Sequence, residues 1–175
     1  MKESSDSRRS TDGPAAPARP SVGVPTIRSH AVWKGGLLFE AGIGERLQQI
    51  DGNSKVAPSP VETLLSSIGT CAGADVADIL TKQRTPPDRL EIEIFATRRP
   101  EHPRRLVTVE LTFQVDGPKI DPPQAERAIA LSIEKYCTVA ATLAGDIQLT
   151  SILVLNGSRG DPVRQPMFSA TVPSR

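Results

Sequence analysis

Apolar and polar residues alternate along several stretches of the chain, with the two-residue period of half-buried β-strands. The predicted strands are residues 26–33, 37–41, 45–50, 89–98, 105–115 and 147–155. Gly35-Gly36, between the first two of these strands, is typical of a tight hairpin turn. The pattern therefore predicts an N-terminal hairpin with a further strand, an antiparallel pair over 89–98 and 105–115, and one last strand.

Two stretches have a helical period instead. A long helix is predicted after Ser59, which can cap it while Glu62, three residues on, completes a capping box. A second helix is predicted to begin after a cap at Asp121. The chain then bends near Cys137, and a short helical turn stops at Gly145. This order of elements predicts an α+β fold, with helices packed on one face of a mainly antiparallel sheet.

The two ends of the chain differ in composition from its middle. Residues 1–25 contain no aromatic residue, Leu or Ile, and are rich in Ser, Pro, Arg and Gly. Such segments cannot bury enough apolar surface to order themselves, and residues 158–175 are similar. The sequence therefore predicts one folded domain over 26–157, between a disordered N-terminal tail and a disordered C-terminal tail.

Charge excludes two classes of partner. The 21 basic and 20 acidic residues give a net charge of +1, with no basic stripe, so no nucleic-acid partner is expected. The longest weakly polar run, 61–80, is interrupted by Glu62, Asp75 and Asp78, so no membrane span is expected. Because the N-terminus also lacks a signal-like apolar core, the expected location is the cytoplasm.

The two cysteines are the candidate chemistry. They lie 66 positions apart, at Cys71 and Cys137, in different predicted helices. Cysteines in a reducing cytoplasm are catalytic or inert core residues more often than permanent staples. Cys71 lies in the small-residue stretch 66–74, which allows close approach of another backbone. Cys137 begins a new helical turn, where a helix N-terminus stabilises a thiolate.

The residues around the cysteines support this chemistry only weakly. Asp75 lies one helical turn after Cys71, where a carboxylate raises the thiol pKa. Glu62 and Lys135 are candidate supporting residues, although capping explains Glu62 more simply, since nine helical steps place it on the opposite side of the helix from Cys71. Two cysteines and two histidines without close spacing predict no metal site, and no cofactor is expected.

The two cysteine contexts, APSPVETLLSSIGTCAGADVADIL and IALSIEKYCTVAATL, resemble those of the OsmC/Ohr superfamily (osmotically inducible protein C and organic hydroperoxide resistance protein). The resemblance covers about residues 28–156, and VWKGGLLFEA, DGNSKVAPSP and RRPEHPRRL are most similar to its YhfA-like branch. It implies an OsmC-like fold, in which sheets wrap around a long central helix in an intertwined homodimer. The active sites would lie at the subunit interface.

The resemblance also implies an activity. Cys71 would attack an organic hydroperoxide and become a sulfenic acid, and Cys137 would resolve this acid as a disulfide. A dithiol reductant, such as a lipoyl group, would reopen the disulfide. The expected protein is thus a cofactor-free, thiol-dependent peroxidase.

Two departures from the Ohr pattern keep other interpretations open. Val61 stands where Ohr-type members have an activating glutamate, and Leu37 where they have an activating arginine. The cations that could replace that arginine are Arg28, Arg46, Arg104 and Lys135. One alternative is a non-catalytic OsmC-like dimer that binds a small apolar ligand. Another is a structural dimer in which both thiols are buried packing residues.

Overall fold

The N-terminal hairpin forms as its glycine pair predicts. The computed structural model describes residues 26–166. In it β1 (His30–Gly35) and β2 (Leu38–Ile43) pair antiparallel, and β3 (Arg46–Asp51) pairs with β2. Gly35 and Gly36 have positive φ angles of 111° and 55°, which glycine adopts without steric cost. This three-stranded sheet touches the rest of the chain mainly through β3, and leaves much apolar surface exposed.

Helix α1 (Pro60–Lys82) follows, and it begins with the predicted capping box. The Ser59 side chain accepts a hydrogen bond from the Glu62 backbone N–H, and the Glu62 carboxylate accepts one from the Ser59 N–H. By length and composition alone, α1 could cross a membrane. Its most buried apolar residues instead lie in the core of the domain, namely Ile68, Ala72, Val76 and Leu80.

Two glycines let α1 lie unusually close to the next strand, β4 (Arg89–Arg98). A Cβ atom added to Gly69 would lie 2.6 Å from Ile94 Cδ1, and one added to Gly73 would lie 2.6 Å from Ile92 Cδ1. Glycine costs a helix about 1 kcal/mol relative to alanine. The close approach to β4 explains why α1 contains two glycines despite their cost in helix stability. The small-residue stretch 66–74 therefore packs against a strand.

The second sheet carries most of the core. Strand β4 pairs antiparallel with β5 (Leu106–Asp116), and β5 pairs parallel with β6 (Gln148–Leu155). The parallel pair is possible because the helical segment between β5 and β6 returns the chain across the sheet. One continuous hydrophobic cluster fills the space between this sheet and the helices. The observed fold is therefore α+β, as predicted, with mostly antiparallel pairing.

The segment between β5 and β6 is a helix with an abrupt change of path. Helix α2 (Pro122–Leu131) is capped by Asp121 as predicted. A π-helical turn (Ser132–Tyr136) continues it, and a four-residue helix α3 (Thr138–Ala141) follows. Cys137 lies at the break, with an extended backbone (φ −67°, ψ 93°). The predicted bend is thus produced by a π-helical turn.

The folded unit extends beyond the boundary predicted at residue 157. Strands β7 (Ser158–Arg159) and β8 (Val163–Gln165) both pair antiparallel with β6. Gln165 is buried, and its side-chain amide donates a 2.7 Å hydrogen bond to Ser151 Oγ. The prediction of a disordered tail from residue 158 is therefore wrong as far as Gln165. Backbone pairing with β6 orders this segment although it contains few apolar residues. The N-terminal tail, 1–25, and residues 167–175 lie outside the described residues.

Candidate functional site

The two cysteines meet in the folded chain. Cys71 Sγ, Cys137 Sγ and a carboxylate oxygen of Asp75 all lie within 4.8 Å of one another. Cys71 and Asp75 are one turn apart on α1, so both side chains project from the same side of that helix. Cys137 comes from the break between the π-helical turn and α3. We call these three residues the dithiol site.

The π-helical turn positions Cys137. The Cys137 backbone N–H donates a 2.7 Å hydrogen bond to the carbonyl of Ser132, five residues earlier. Its sulfur accepts a hydrogen bond from the Ala140 N–H at 3.4 Å, so that the cysteine itself caps α3. A regular α-helix continuing from α2 would make neither contact, because its hydrogen bonds join residues four apart.

Ser132 connects this turn to α1. Its hydroxyl lies 3.0 Å from Asp75 Oδ2 and 3.3 Å from the carbonyl oxygen of Ala72. Ser132 is fully buried, whereas Asp75 is half-buried. Since a hydroxyl has one proton, it donates to one of these acceptors at a time. The contact holds the Asp75 carboxylate beside the sulfurs and ties the π-helical turn to α1.

The two thiols differ in their surroundings. Cys71 is half-buried, and Cys137 is 1% exposed. Burial raises the pKa of the Cys137 thiol to about 11, with further increases from the Cys71 sulfur and the Asp75 charge, against the Ala140 N–H, which lowers it. The N–H at the start of α3 thus lowers the thiol pKa, as predicted for a helix N-terminus, but the net pKa of Cys137 is raised. Desolvation outweighs one N–H group of a four-residue helix.

Glu62 serves the helix start. Its Oε2 atom accepts hydrogen bonds from Ser54 Oγ at 2.6 Å, Ser59 N at 2.7 Å and Ser59 Oγ at 2.8 Å. These three donors, with Ser54 the strongest, lower the pKa of Glu62 to about 2. The carboxylate lies nine residues before Cys71, which is over two turns of helix. Its observed contacts are those of a cap that also holds the loop carrying Ser54.

Lys135 lies on the surface near the site without contacting it. Its side chain is exposed, and its ammonium lies 5.3 Å from the centre of the Tyr136 ring. Among residues 26–166, no ion pair brings a lysine, an arginine or a histidine to Asp75. The cations proposed from the sequence to replace the Ohr arginine are therefore not paired with the acid of this site.

Two grooves formed by the described residues lie away from the dithiol site. One of about 590 Å³ is lined by residues of the α1 start, including Glu62, and by Arg98 and Leu106. Another of about 580 Å³ lies between α2 and the β7–β8 segment. Neither is lined by Cys71 or Cys137. Solvent reaches the dithiol site at the half-buried flank of α1, where Cys71 and Asp75 lie.

The sequence indicated all three residues of the dithiol site and missed the contact with Ser132 that joins α1 to the π-helical turn. Asp75 is visible at one turn from Cys71, but its contact with Ser132 spans 57 positions. Ser132 offers one signal, because it is a polar residue on the otherwise apolar buried face of Ala125, Ile129 and Ile133. A buried hydroxyl needs a hydrogen-bond partner, although sequence alone does not identify it.

Comparison with known proteins supports the resemblance seen in the sequence. Residues 51–151 match the family described as OsmC-like protein. The chain is 36% identical over 127 residues to Protein YhfA of Escherichia coli K12, an alignment covering 71% of this chain and 94% of YhfA.

Solved structures share the fold. The crystal structure of a hypothetical protein from Aquifex aeolicus VF5 superposes with a TM-score of 0.70 at 26% identity, covering 76% of this chain and 98% of that one. The OsmC-like protein of Mycoplasma pneumoniae gives a TM-score of 0.67 at 14% identity, covering 75% and 97% of the two chains. At that identity the likeness concerns the fold alone.

Proposed function

This chain belongs to the OsmC-like family, in its YhfA-like branch, and on that premise we propose that it is a thiol-dependent peroxidase that reduces organic hydroperoxides. Family membership by itself indicates a peroxide-related stress protein. The observation that carries the finer proposal is the meeting of two sulfurs from distant parts of the sequence, within 4.8 Å of each other. A nearby second thiol is what converts an oxidised cysteine into a reversible disulfide.

The proposed cycle has three steps. The Cys71 thiolate attacks the terminal oxygen of the hydroperoxide, the O–O bond breaks, and the alkoxide takes a proton and leaves as an alcohol. The Cys137 thiol then attacks the resulting Cys71 sulfenic acid. Its proton and the sulfenic hydroxyl leave as water, and the disulfide forms. An external dithiol, for which a lipoyl group is our candidate, reduces the disulfide by exchange and becomes a disulfide itself.

The assignment of the two roles follows from exposure and protonation. Cys71 is half-buried at a solvent-facing flank, so a substrate can reach its sulfur. Cys137 is buried, and its raised pKa keeps its thiol protonated at neutral pH. A protonated thiol is a poor nucleophile toward peroxide. In the second step the Cys137 thiol loses this proton as its sulfur bonds to the Cys71 sulfur, and the proton leaves with the sulfenic hydroxyl as water.

An organic rather than an inorganic peroxide is proposed because the site opens onto an apolar helix flank. Leu64, which lies two helical turns before Cys71 and therefore on the same flank of α1, is 37% exposed. An alkyl chain would gain free energy by covering such a surface, which hydrogen peroxide cannot do. Cumene hydroperoxide, with its bulky aromatic group, should therefore be consumed faster than hydrogen peroxide at equal concentration.

We propose a homodimer as the active form. OsmC/Ohr proteins are commonly dimeric. The β1–β3 sheet exposes large side chains that an isolated protomer would leave in water, among them Trp33, Leu37, Phe39 and Leu47. Trp33, the only tryptophan of the chain, is 65% exposed. Sedimentation should give twice the chain mass, and dilution to monomer should shift the Trp33 emission to longer wavelength.

The alternative function is a dimer that binds a small apolar ligand without redox chemistry. The observation that favours it is Asp75, a carboxylate beside both thiols with no paired cation among residues 26–166. A negative charge there disfavours thiolates. If this alternative holds, reduced protein should leave cumene hydroperoxide unchanged while still binding apolar molecules.

Peroxide consumption separates these functions. Wild-type protein, cumene hydroperoxide and reduced lipoamide should show multiple turnovers, and Cys71→Ser should show only the uncatalysed background. Glu62→Gln is the matched control, because it alters a polar side chain of the same helix outside the dithiol site. Equal consumption by wild type and Cys71→Ser, or none by either, would refute the peroxidase proposal.

A further inference from the structure

The peroxidase cycle makes no use of the Asp75 carboxylate, although the fold holds it in place. Asp75 Oδ2 lies 3.0 Å from the buried Ser132 hydroxyl, and the carboxylate lies within 4.8 Å of both sulfurs. Two soft sulfur ligands and one hard oxygen ligand thus converge from two different elements. The site is half-open to solvent through Cys71 and Asp75.

We propose that the reduced dithiol site binds one thiophilic divalent cation, with Zn²⁺ as the reference ion, through Cys71 Sγ, Cys137 Sγ and an Asp75 carboxylate oxygen. Ligands four residues apart on one helix face, here Cys71 and Asp75, are a recurrent arrangement in zinc sites. Zinc sites that remain open to solvent have three protein ligands, with water in the fourth position. The half-exposed flank of α1 provides space for that water.

The geometry needs only small adjustments. Zn–S bonds are about 2.3 Å and Zn–O bonds about 2.0–2.2 Å, so that ligand atoms of a tetrahedral site lie about 3.5–3.8 Å apart. The three ligand atoms here lie within 4.8 Å of one another before any ion draws them in. Rotation of the Cys71 and Asp75 side chains, both half-buried, can supply the difference.

Charge also favours a cation. Binding releases the two thiol protons, and the resulting thiolates and carboxylate carry three negative charges against the two positive charges of the ion. No lysine or arginine pairs with Asp75 among residues 26–166. Ser132 orients the carboxylate, and the Ala140 N–H already donates to the Cys137 sulfur. Such outer hydrogen bonds hold metal ligands in place and tune their affinity.

The bound ion would regulate the site. A sulfur that is bound to zinc is shielded from peroxide, and a Cys71–Cys137 disulfide offers no thiolate to the ion. Metal binding and oxidation should therefore exclude each other. The proposal needs only the reduced pair of thiols, so it goes beyond the proposed peroxidase function and does not depend on turnover.

Metal titration of the full chain tests the proposal. Reduced, metal-free protein is titrated with Cd²⁺, followed by its thiolate charge-transfer absorption, and then with Zn²⁺ in competition with a chromophoric chelator. One ion per chain is expected, and Cys71→Ser or disulfide-oxidised protein should bind about 100-fold more weakly or worse. Asp75→Asn retains the size of the side chain and an acceptor for Ser132. It should weaken Zn²⁺ binding by at least the roughly 10- to 100-fold that loss of an outer hydrogen-bond partner costs.

The matched control is Asp78→Asn, which removes an exposed acid paired with Lys82 on the same helix and should leave the affinity unchanged. Circular dichroism checks that each variant is folded. Wild-type protein that binds no ion at micromolar Zn²⁺, or Asp75→Asn with wild-type affinity, would overturn the three-ligand site. Peroxide consumption is measured separately on metal-free protein, so its absence would count against the peroxidase alone.

Discussion

Helix α1 carries two polar clusters that differ in how they are built. At its start, Glu62 accepts three hydrogen bonds from Ser54 and Ser59, residues no more than eight positions away. In its middle, Asp75 meets Ser132 and Cys137, which are 57 and 62 positions away. The first carboxylate is saturated by nearby donors, whereas the second stands beside two thiols.

The difference teaches which carboxylate can take part in chemistry. Three donors hold Glu62 ionised and fix its geometry, so it stabilises the helix start and its loop. Asp75 has one hydroxyl donor and shares its space with two sulfur atoms, one of them buried. We therefore assign a structural role to the cluster at the start of α1 and a chemical role to the cluster in its middle. Substitutions at either place should separate stability from activity.

The largest expected effect is at the resolving cysteine. With reduced lipoamide in excess, wild type should turn over many times, whereas Cys137→Ser should consume about one equivalent of cumene hydroperoxide and then stop, because its Cys71 sulfenic acid has no partner thiol. A sulfenic-acid probe such as dimedone should label this variant at Cys71 and leave wild type largely unlabelled. Full multiple turnover by Cys137→Ser would show that the two sulfurs do not cooperate.

The next largest effect is expected on stability, at the packing contact between the middle of α1 and β4. Gly69→Ala should lower the free energy of unfolding by up to about 2 kcal/mol, because overpacking costs about 1–3 kcal/mol whereas alanine gains about 1 kcal/mol in a helix. The clash is with Ile94 Cδ1, 2.6 Å from the added Cβ. Urea unfolding measures the change.

Ile94→Val serves as its partner variant, since it removes the clashing methyl group. Alone it should cost about 0.5–1.5 kcal/mol. Combined with Gly69→Ala, the total loss should be smaller than the sum of the two single losses. Strict additivity would mean that α1 and β4 are not in the close contact described.

A smaller loss is expected at the cap. Ser59→Ala should lower the free energy of unfolding by about 1 kcal/mol, since it removes the side-chain acceptor of the Glu62 N–H. Peroxide consumption by the folded variant should remain at the wild-type level. A large fall in activity at full folding would place the helix start in the reaction and erase the distinction between the two clusters.

The subtlest effect concerns pH. Glu62 has a pKa of about 2 in the folded chain, below its ordinary value of 4.5. Its ionised form therefore stabilises the fold fully at pH values above 4.5. This stability is lost as pH falls from about 4.5 through about 2. Glu62→Gln should therefore be less stable than wild type at pH 7, and the difference should shrink toward pH 2.5. Urea midpoints for both proteins at several pH values measure this, and a gap independent of pH would contradict the account.

The same contrast explains what the sequence could predict. The capping boxes at Ser59 and Asp121 involve neighbours three residues apart, so short-range patterns reveal them. Strands such as β4 alternate clearly because one face is covered by α1. The Ser132–Asp75 contact depends on a π-helical turn, which has no comparable short-range signal. The sequence did not reveal strand β8, because its residues lack an alternating apolar pattern. Backbone pairing with β6 is what holds this strand in place.

The assembly of the site was foreseen only through the resemblance to a family. Helical spacing put Asp75 beside Cys71, but no local pattern joined Cys137 to either of them. The local sequence also predicted the wrong direction for the pKa of the Cys137 thiol. The helix N-terminus predicted a stabilised thiolate, whereas burial raises the thiol pKa by more than the helix lowers it. Desolvation depends on the whole fold, and a single stretch of sequence does not contain it.

The central claim is that Cys71 and Cys137 of one chain form a redox pair. Intact mass spectrometry of reduced protein after one equivalent of cumene hydroperoxide tests it most directly. The account predicts a chain lighter by two hydrogens, with a Cys71–Cys137 cross-linked peptide after digestion under non-reducing conditions. An unchanged mass, a stable added oxygen, or a disulfide between two chains would contradict it.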